Sequence, residues 1–282
     1  MRTSVIIPAR NAEATIERAI RSALDQTPAP CEILVGDDGS TDSTASTAER
    51  LGANVLRLQP LNGSAARNRA VEAATGDRLF FLDADDEWLP GKIALHLELR
   101  SRHDVCLIMD PARRISPSGE PRGLNGAGPE GLLDWRALTD HKNWTSGSSF
   151  SVDRQSYRDM GGFSERLSKT QDVDFWVRCA HRFGPAYRAA ECRTLYHQSP
   201  LTITSRPVDP DSYLPTLFEG WPFAGPQERA NVTRICYLNL VRLQTLGPAF
   251  RALGKAGWPM NRAIAWKYLV FALRNSVRGG RG

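Results

Sequence analysis

The sequence predicts an α/β protein with a mostly parallel central sheet flanked by helices and a helical C-terminal extension. Three observations carry this. Apolar strand-like runs alternate with helix-like segments through the first hundred residues. Such a βαβα rhythm favours a parallel sheet with helical crossovers. The fourth run, Arg78 to Leu82, is almost wholly apolar, as in a strand buried on both faces. The clusters most apt for chemistry all follow strands, and in open α/β sheets ligands bind at the carboxyl ends of strands.

The elements follow in order. Ser4 to Ile7 is a strand, and Asn11 is the expected N-cap of a helix carrying Ala12, Ile16, Ala19, Ile20, Ala23 and Leu24 on one face. Glu32 to Val35 is a second strand ending in Gly36-Asp-Asp-Gly-Ser-Thr-Asp, with Thr41 or Asp42 capping a helix to about Leu51. Asn54 to Leu58 is a third strand, and Ser64 to Ala74 a helix that stops at Gly76. Pro111 to Asp134 is rich in Gly and Pro and reads as a long loop. Ser146 to Val152 is expected to return as a strand, Val173 to Arg182 as a helix, and Ala186 to His197 as one more strand. Pro207 to Pro226 reads as a linker, and Ala230 to Gln244 and Asn261 to Arg278 as helices. The expected organisation is 1–110 and 111–206 as two halves of one domain, with 207–282 a basic helical extension.

With 282 residues, 41% hydrophobic and 24% charged, the chain can bury a proper core, and disorder, collagen and a disulfide scaffold are excluded. Its five scattered cysteines, without a CxxC pair, read as reduced thiols of a cytoplasmic protein. The opening strand is too short for the apolar core of a signal peptide. Asn143-Trp-Thr and Asn231-Val-Thr are therefore read as chance matches to a glycosylation pattern.

The net charge of +5 is unevenly spread: Trp221 to Gly282 holds ten Lys or Arg against the single acid Glu228. Ala263 to Leu273 is too short an apolar run to span a bilayer. Flanked by Arg262, Arg274 and Arg278, it suits either packing on the body or lying at an anionic membrane surface, so that the protein is peripheral at the inner face of the cell membrane. No nucleic-acid motif accompanies the basic tail.

Four clusters and one histidine carry chemistry. Asp83-Ala-Asp85-Asp86 places three carboxylates in four residues after a buried strand. Such a grouping is costly unless a cation neutralises it. Asp83 and Asp85 point the same way on extended backbone, suiting Mn²⁺ or Mg²⁺ shared with a diphosphate; an acidic turn capping the next helix accounts for the pattern equally. Asp37 and Asp38 suit a base or ribose, or simply a strand-to-helix turn. Arg67, early in a helix and near Gly63, suits phosphate. Asp172 and Asp174 open an amphipathic helix, either as candidates for a general base or as charges complementing the helix dipole. His197 is a candidate metal or phosphate ligand, or a packed histidine.

Taken together and in this order, the clusters resemble the family 2 glycosyltransferases of the GT-A fold. The matching stretches are SVIIPARNAEATIERAIRSALDQT, EILVGDDGSTDST, NGSAARNRAVEAATGDRLFFLDADD and GGFSERLSKTQDVDFWVR, spanning about Ser4 to Arg178. The resemblance implies an inverting, metal-dependent enzyme that moves a sugar from a nucleotide diphosphate, UDP by preference, to a carbohydrate or lipid-linked acceptor. It implies that Pro8, Asn11, Asp37 and Asp38 line the donor nucleotide, and that Arg67 lies near its diphosphate. Asp83 and Asp85 would contact ribose and metal, Asp172 would be the catalytic base, and His197 would close over metal or phosphates.

One position departs from the pattern. Gln171 stands where many relatives carry Glu, leaving Asp172 to take the proton alone, with Asp174 the weaker candidate. The alternatives are a sugar nucleotidyltransferase, or a nucleotide-sugar-binding module without catalysis. The first usually shows a Gly-rich loop where this chain has Pro8-Ala-Arg-Asn-Ala, and the retained acids argue against the second. The GxGxxG spacing at Gly126 to Gly131 stands within the Gly- and Pro-rich stretch rather than between a strand and a helix, so it does not read as a dehydrogenase fingerprint, and no P-loop pattern is present.

Overall fold

A computed structural model describes residues 1–198 and 208–243. The chain divides into two compact units, Met1–Gln198 and Ser199–Gly282. The first unit is built on an eight-stranded sheet whose first half is parallel. Strand β1 (Thr3–Ala9) lies between β2 (Glu32–Asp37) and β4 (Arg78–Phe81), and β3 (Asn54–Arg57) flanks β2. The apolar runs of β1 and β4 are buried along their lengths because helices cover both faces.

Helix α1 (Ile16–Leu24) buries Ile16, Ala19, Ile20 and Ala23 against this sheet. It starts later than Asn11: that residue adopts a left-handed φ of 49° and its side chain binds a neighbouring loop instead. Helix α2 (Thr44–Arg50) follows β2, and Asp42 accepts hydrogen bonds from the Thr44 backbone and hydroxyl at its start. Helix α3 (Gly63–Ala73) is capped by Asn62, whose Oδ1 accepts from the Ala65 amide at 3.0 Å. This cap satisfies one of the orphan donors of the first turn.

Beyond β4 come a short β5 (Glu87–Trp88) and helix α4 (Lys92–Arg102), then β6 (Leu107–Met109). The segment read as a loop holds three strands, β7 (Ala112–Ile115), β8 (Pro121–Asn125) and β9 (Gly131–Leu133). Their Pro- and Gly-rich composition hides them because they are short and lie at or near sheet edges, where such residues are tolerated. Strand β10 (Phe150–Asp153) runs antiparallel between β4 and β6, so the turn before it reaches the same sheet end as the exits of β1, β2 and β4. Helix α5 (Arg154–Asp159) leads to α6 (Gln171–Phe183), which ends at Gly184 with φ 95°.

The stretch expected as one last strand splits in two. Strand β11 (Ala186–Arg188) joins the large sheet between β6 and β9, whereas β12 (Thr194–His197) joins a second sheet of order β5-β12-β7-β8. An aromatic cluster of Phe81, Phe150, Tyr157, Phe163 and Phe175 fills one side of the large sheet, with Phe81 and Phe150 stacked at 4.7 Å. Each such pair adds about 0.5–1.5 kcal/mol beyond its area burial.

In the second unit, the segment expected as a linker contains α7 (Leu214–Glu219), started by Pro215 in its first turn, and α8 (Pro226–Leu243) follows. Ala263 to Leu273 and the rest of the basic tail from Gln244 lie outside the described residues. Among the described residues no helix is long and apolar enough to cross a membrane.

Candidate active site

The exits of β1, β2 and β4, the turn before β10 and the start of α6 meet at one end of the large sheet. Pro8 and Gly36 are register partners on β1 and β2. A Cβ on Gly36 would stand 2.4 Å from the Ala66 carbonyl oxygen, so glycine here lets α3 cross close over β2. That explains a glycine to which sequence alone attaches no meaning. Asp37 and Asp38 are both buried, Asp37 accepting from the Ser40 amide at 3.2 Å and Asp38 from the Leu61 amide at 2.7 Å. Arg10 approaches Asp38 at 3.6 Å. Asn11 stitches the first two loops together, its side chain accepting from the Thr41 amide and its own amide donating to the Ser40 hydroxyl, both at 2.9 Å.

The Asp83–Asp86 turn is held by residues that sequence reasoning passed over. Ser148 accepts from the Asp83 amide at 2.9 Å and donates to Asp86 at 2.5 Å. Asp86 is fully buried, and its second oxygen accepts from the His197 amide at 2.9 Å. One carboxylate thus ties the turn to β12. Asp83 pairs with Arg67, whose guanidinium also lies 5.4 Å from the centre of the Phe163 ring. A Cβ on Gly147 would come within 3.0 Å of Asp83 Oδ2, which keeps that approach clear. Ser146-Gly-Ser-Ser, expected as the start of a strand, instead forms the turn before β10, which begins at Phe150.

The turn is short of positive charge. Burial, then Asp83, pushes Asp85 up to about 6, with Arg18 and Arg67 opposing. Burial, then Asp85 and Asp83, drive Asp86 well above the usual carboxylate range. Asp172 belongs to the same electrostatic group: burial raises it, Arg67 lowers it and Asp83 raises it. Its Oδ1 accepts from the Val173 amide at 2.8 Å. Asp174 is different. It is buried against Arg178, with contacts of 2.6 and 3.0 Å, and Arg178 also donates to the Met160 and Gly162 carbonyls. Gln171 donates to the Leu167 carbonyl at 3.1 Å.

Arg67 and Asp83 therefore lie within electrostatic reach of both Asp85 and Asp172. His197 stands at the margin, its Nε2 3.4 Å from Glu87. Among the described residues no three His, Cys, Asp or Glu side chains form a closed metal cage. Two under-neutralised carboxylates instead fit a hard cation that takes its remaining ligands from a bound diphosphate.

Comparison with known proteins decides the family. The model of glycosyl transferase family 2 matches residues 4–161, more than half of the chain. The chain belongs to that family. It is a glycosyltransferase, and its fold is GT-A. A putative teichuronic acid biosynthesis glycosyltransferase of Bacillus subtilis, TuaG, is 29% identical over 209 residues, covering 72% of this chain and 81% of the relative. The succinoglycan biosynthesis protein ExoU of Rhizobium meliloti is 42% identical over 193 residues, 62% of this chain and 55% of the relative. The crystal structure of S. aureus TarS residues 1–349 in complex with UDP-GlcNAc superposes with a TM-score of 0.64 at 18% identity, covering 97% of this chain and 72% of that one. At that identity the likeness speaks for the fold.

Proposed function

We propose that this glycosyltransferase is an inverting, divalent-cation-dependent enzyme that moves a sugar from a UDP-sugar to a hydroxyl of a carbohydrate or lipid-linked acceptor in cell-surface glycan synthesis. The observation that carries the reading is the single electrostatic group of Asp83, Asp85, Arg67 and Asp172 at the carboxyl end of the sheet. UDP is favoured because the TarS structure holds UDP-GlcNAc, and glycan synthesis because TuaG and ExoU are named for it. The basic run after Trp221 supports docking on an anionic membrane surface, where lipid-linked acceptors reside.

The residues divide the work. Asp37 and Asp38, with Pro8 on the neighbouring strand and Asn11 bracing their loop, receive the nucleotide. Asp83 and Asp85 would hold Mn²⁺ or Mg²⁺, which would supply positive charge at the departing diphosphate. Arg67 adds a fixed cation at the same place. The Asp172 carboxylate takes the proton of the acceptor hydroxyl as the new bond from oxygen to the anomeric carbon forms. The old bond to the phosphate oxygen breaks on the opposite face, and UDP leaves with its electron pair. A carboxylate raised by burial is a stronger base than a solvated one, which suits this task.

Single-turnover transfer at saturating donor tests the assignment. Asp172→Asn is expected to cut the rate by roughly two to four orders of magnitude while UDP binding persists. Gln171→Glu stays within about tenfold of the parent, because that side chain braces the loop rather than taking the proton. If Asp174→Asn loses transfer while Asp172→Asn keeps it, the base is misassigned.

A further inference from the structure

Arg18 is a residue of α1 that neither the family resemblance nor the chemistry above uses, and it reaches into the acidic turn. Its Nη2 donates to the main-chain carbonyl of Asp85 at 2.5 Å, across 67 residues of sequence. Its Nε faces Glu87 Oε2 at 4.0 Å, and the same Glu87 oxygen lies 3.4 Å from His197 Nε2. Neither Arg18 Nε nor His197 Nε2 makes an aligned hydrogen bond, although both atoms are shielded from solvent. One guanidinium thus bonds the backbone of a proposed metal-binding aspartate and stands within ion-pair distance of the carboxylate that faces His197.

We propose that Arg18 is a positioning residue: it pins the Asp85 main chain and, through Glu87, sets the His197 ring, so that both stand ready around a nucleotide-bound divalent cation. The inference rests on the function proposed above and adds a residue to it. The physical argument is one of order. A turn crowded with Asp83, Asp85 and Asp86 repels itself, and its main chain relaxes outward unless something holds it. A guanidinium does so well, because its planar fork serves a carbonyl and a carboxylate at once. Arg18 adds positive charge near Asp85 and His197 without blocking Asp85's carboxyl oxygens, since its hydrogen bond is to the carbonyl. Glu87 plays towards His197 the part that outer carboxylates play towards metal-binding histidines, fixing ring orientation. Arg21, one turn further along α1, pairs with Glu17 at 2.7 Å and takes no part.

The test is calorimetric titration of the full chain with UDP, with and without Mn²⁺, for the parent, Arg18→Ala and Arg21→Ala, alongside thermal melts. Arg18→Ala is expected to lose about 10- to 100-fold of the Mn²⁺-dependent gain in UDP affinity, the usual cost of removing an outer-shell partner. Its metal-free UDP affinity and its melting temperature stay close to the parent's, and Arg21→Ala matches the parent throughout. In transfer assays the donor KM and kcat worsen while the acceptor KM holds. Should Arg18→Ala not fold, Arg18→Gln carries the same test, keeping a donor for the carbonyl but no charge for Glu87.

An Arg18 variant with an undiminished Mn²⁺-dependent gain overturns this inference alone. So does a parallel fall of metal-free and metal-dependent affinity with the melting temperature, which marks a merely structural residue. A parent chain that binds UDP with no Mn²⁺ dependence overturns the proposed metal chemistry and this inference together.

Discussion

Two places in the first unit bury carboxylates, and they solve the resulting electrostatic problem in opposite ways. Just past the end of β6, Asp110 is fully buried but saturated. Lys92 pairs with it, His96 Nε2 lies 3.2 Å away, and it accepts from the Thr194 hydroxyl at 3.0 Å and the Arg193 amide at 2.9 Å. Burial works against its charge, yet Lys92 and His96 hold it below the ordinary carboxylate value. His96, buried between Asp110 and Ser151, is pushed down to about 3 and stays neutral. At the end of the same sheet, Asp85, Asp86 and Asp172 are raised instead. Among the described residues Asp85 and Asp172 have no dedicated counter-ion, while Arg67 is already paired with Asp83. Equal residue type with opposite shifts separates a carboxylate that holds the fold from carboxylates kept ready for a ligand.

The sharpest way to break this comparison is to remove one acid from each group. Asp110→Ala leaves Lys92 buried without its partner and is expected to cost about 3–5 kcal/mol of stability, read as a fall in the denaturation midpoint. Asp85→Ala is expected to leave the melting temperature unchanged or raised, and to abolish the effect of Mn²⁺ on UDP binding. If both variants unfold alike, the distinction between the two groups fails.

A smaller effect refines it. The native pKa of Asp172 is raised above its unfolded value. Its contribution to stability is therefore present below the unfolded pKa, near 3.9, and is lost as pH rises through the native value. At pH 7 the carboxylate costs stability that an amide does not. Asp172→Asn is thus expected to melt a few degrees above the parent at pH 7, and the gap closes as the pH falls towards the ordinary aspartate range. A gap that stays constant with pH would show that Asp172 is not desolvated in the native state.

Much of the candidate site is readable from sequence because it is built of local signals. Asp37, Asp38, Asp83 and Asp85 follow apolar runs directly, and Asp172 opens an amphipathic helix, so chain order alone puts them at strand and helix ends. Asn11 shows the limit of such reading. A residue apt for an N-cap adopts φ 49° because Ser40 and Thr41 offer it better partners from another loop. The split between β11 and β12 and the strands within 111–134 were hidden for a related reason. Short strands carry little periodicity of their own, and pairing partners far along the chain decide whether they form.

By itself the sequence determined the parallel half of the sheet, the order of the acidic clusters and the family they belong to. Each of these rests on periodicity, turn chemistry and spacing within a few tens of residues. Only the tertiary structure decided which acids are neutralised. Asp110 meets Lys92 across 18 residues and Thr194 across 84, and Asp86 meets His197 across 111. It likewise brought Arg18 to the Asp85 carbonyl and Ser148 under the Asp83 turn. The physical reason is that a side chain's charge and partners depend on desolvation and distance in space, and packing between distant segments sets both.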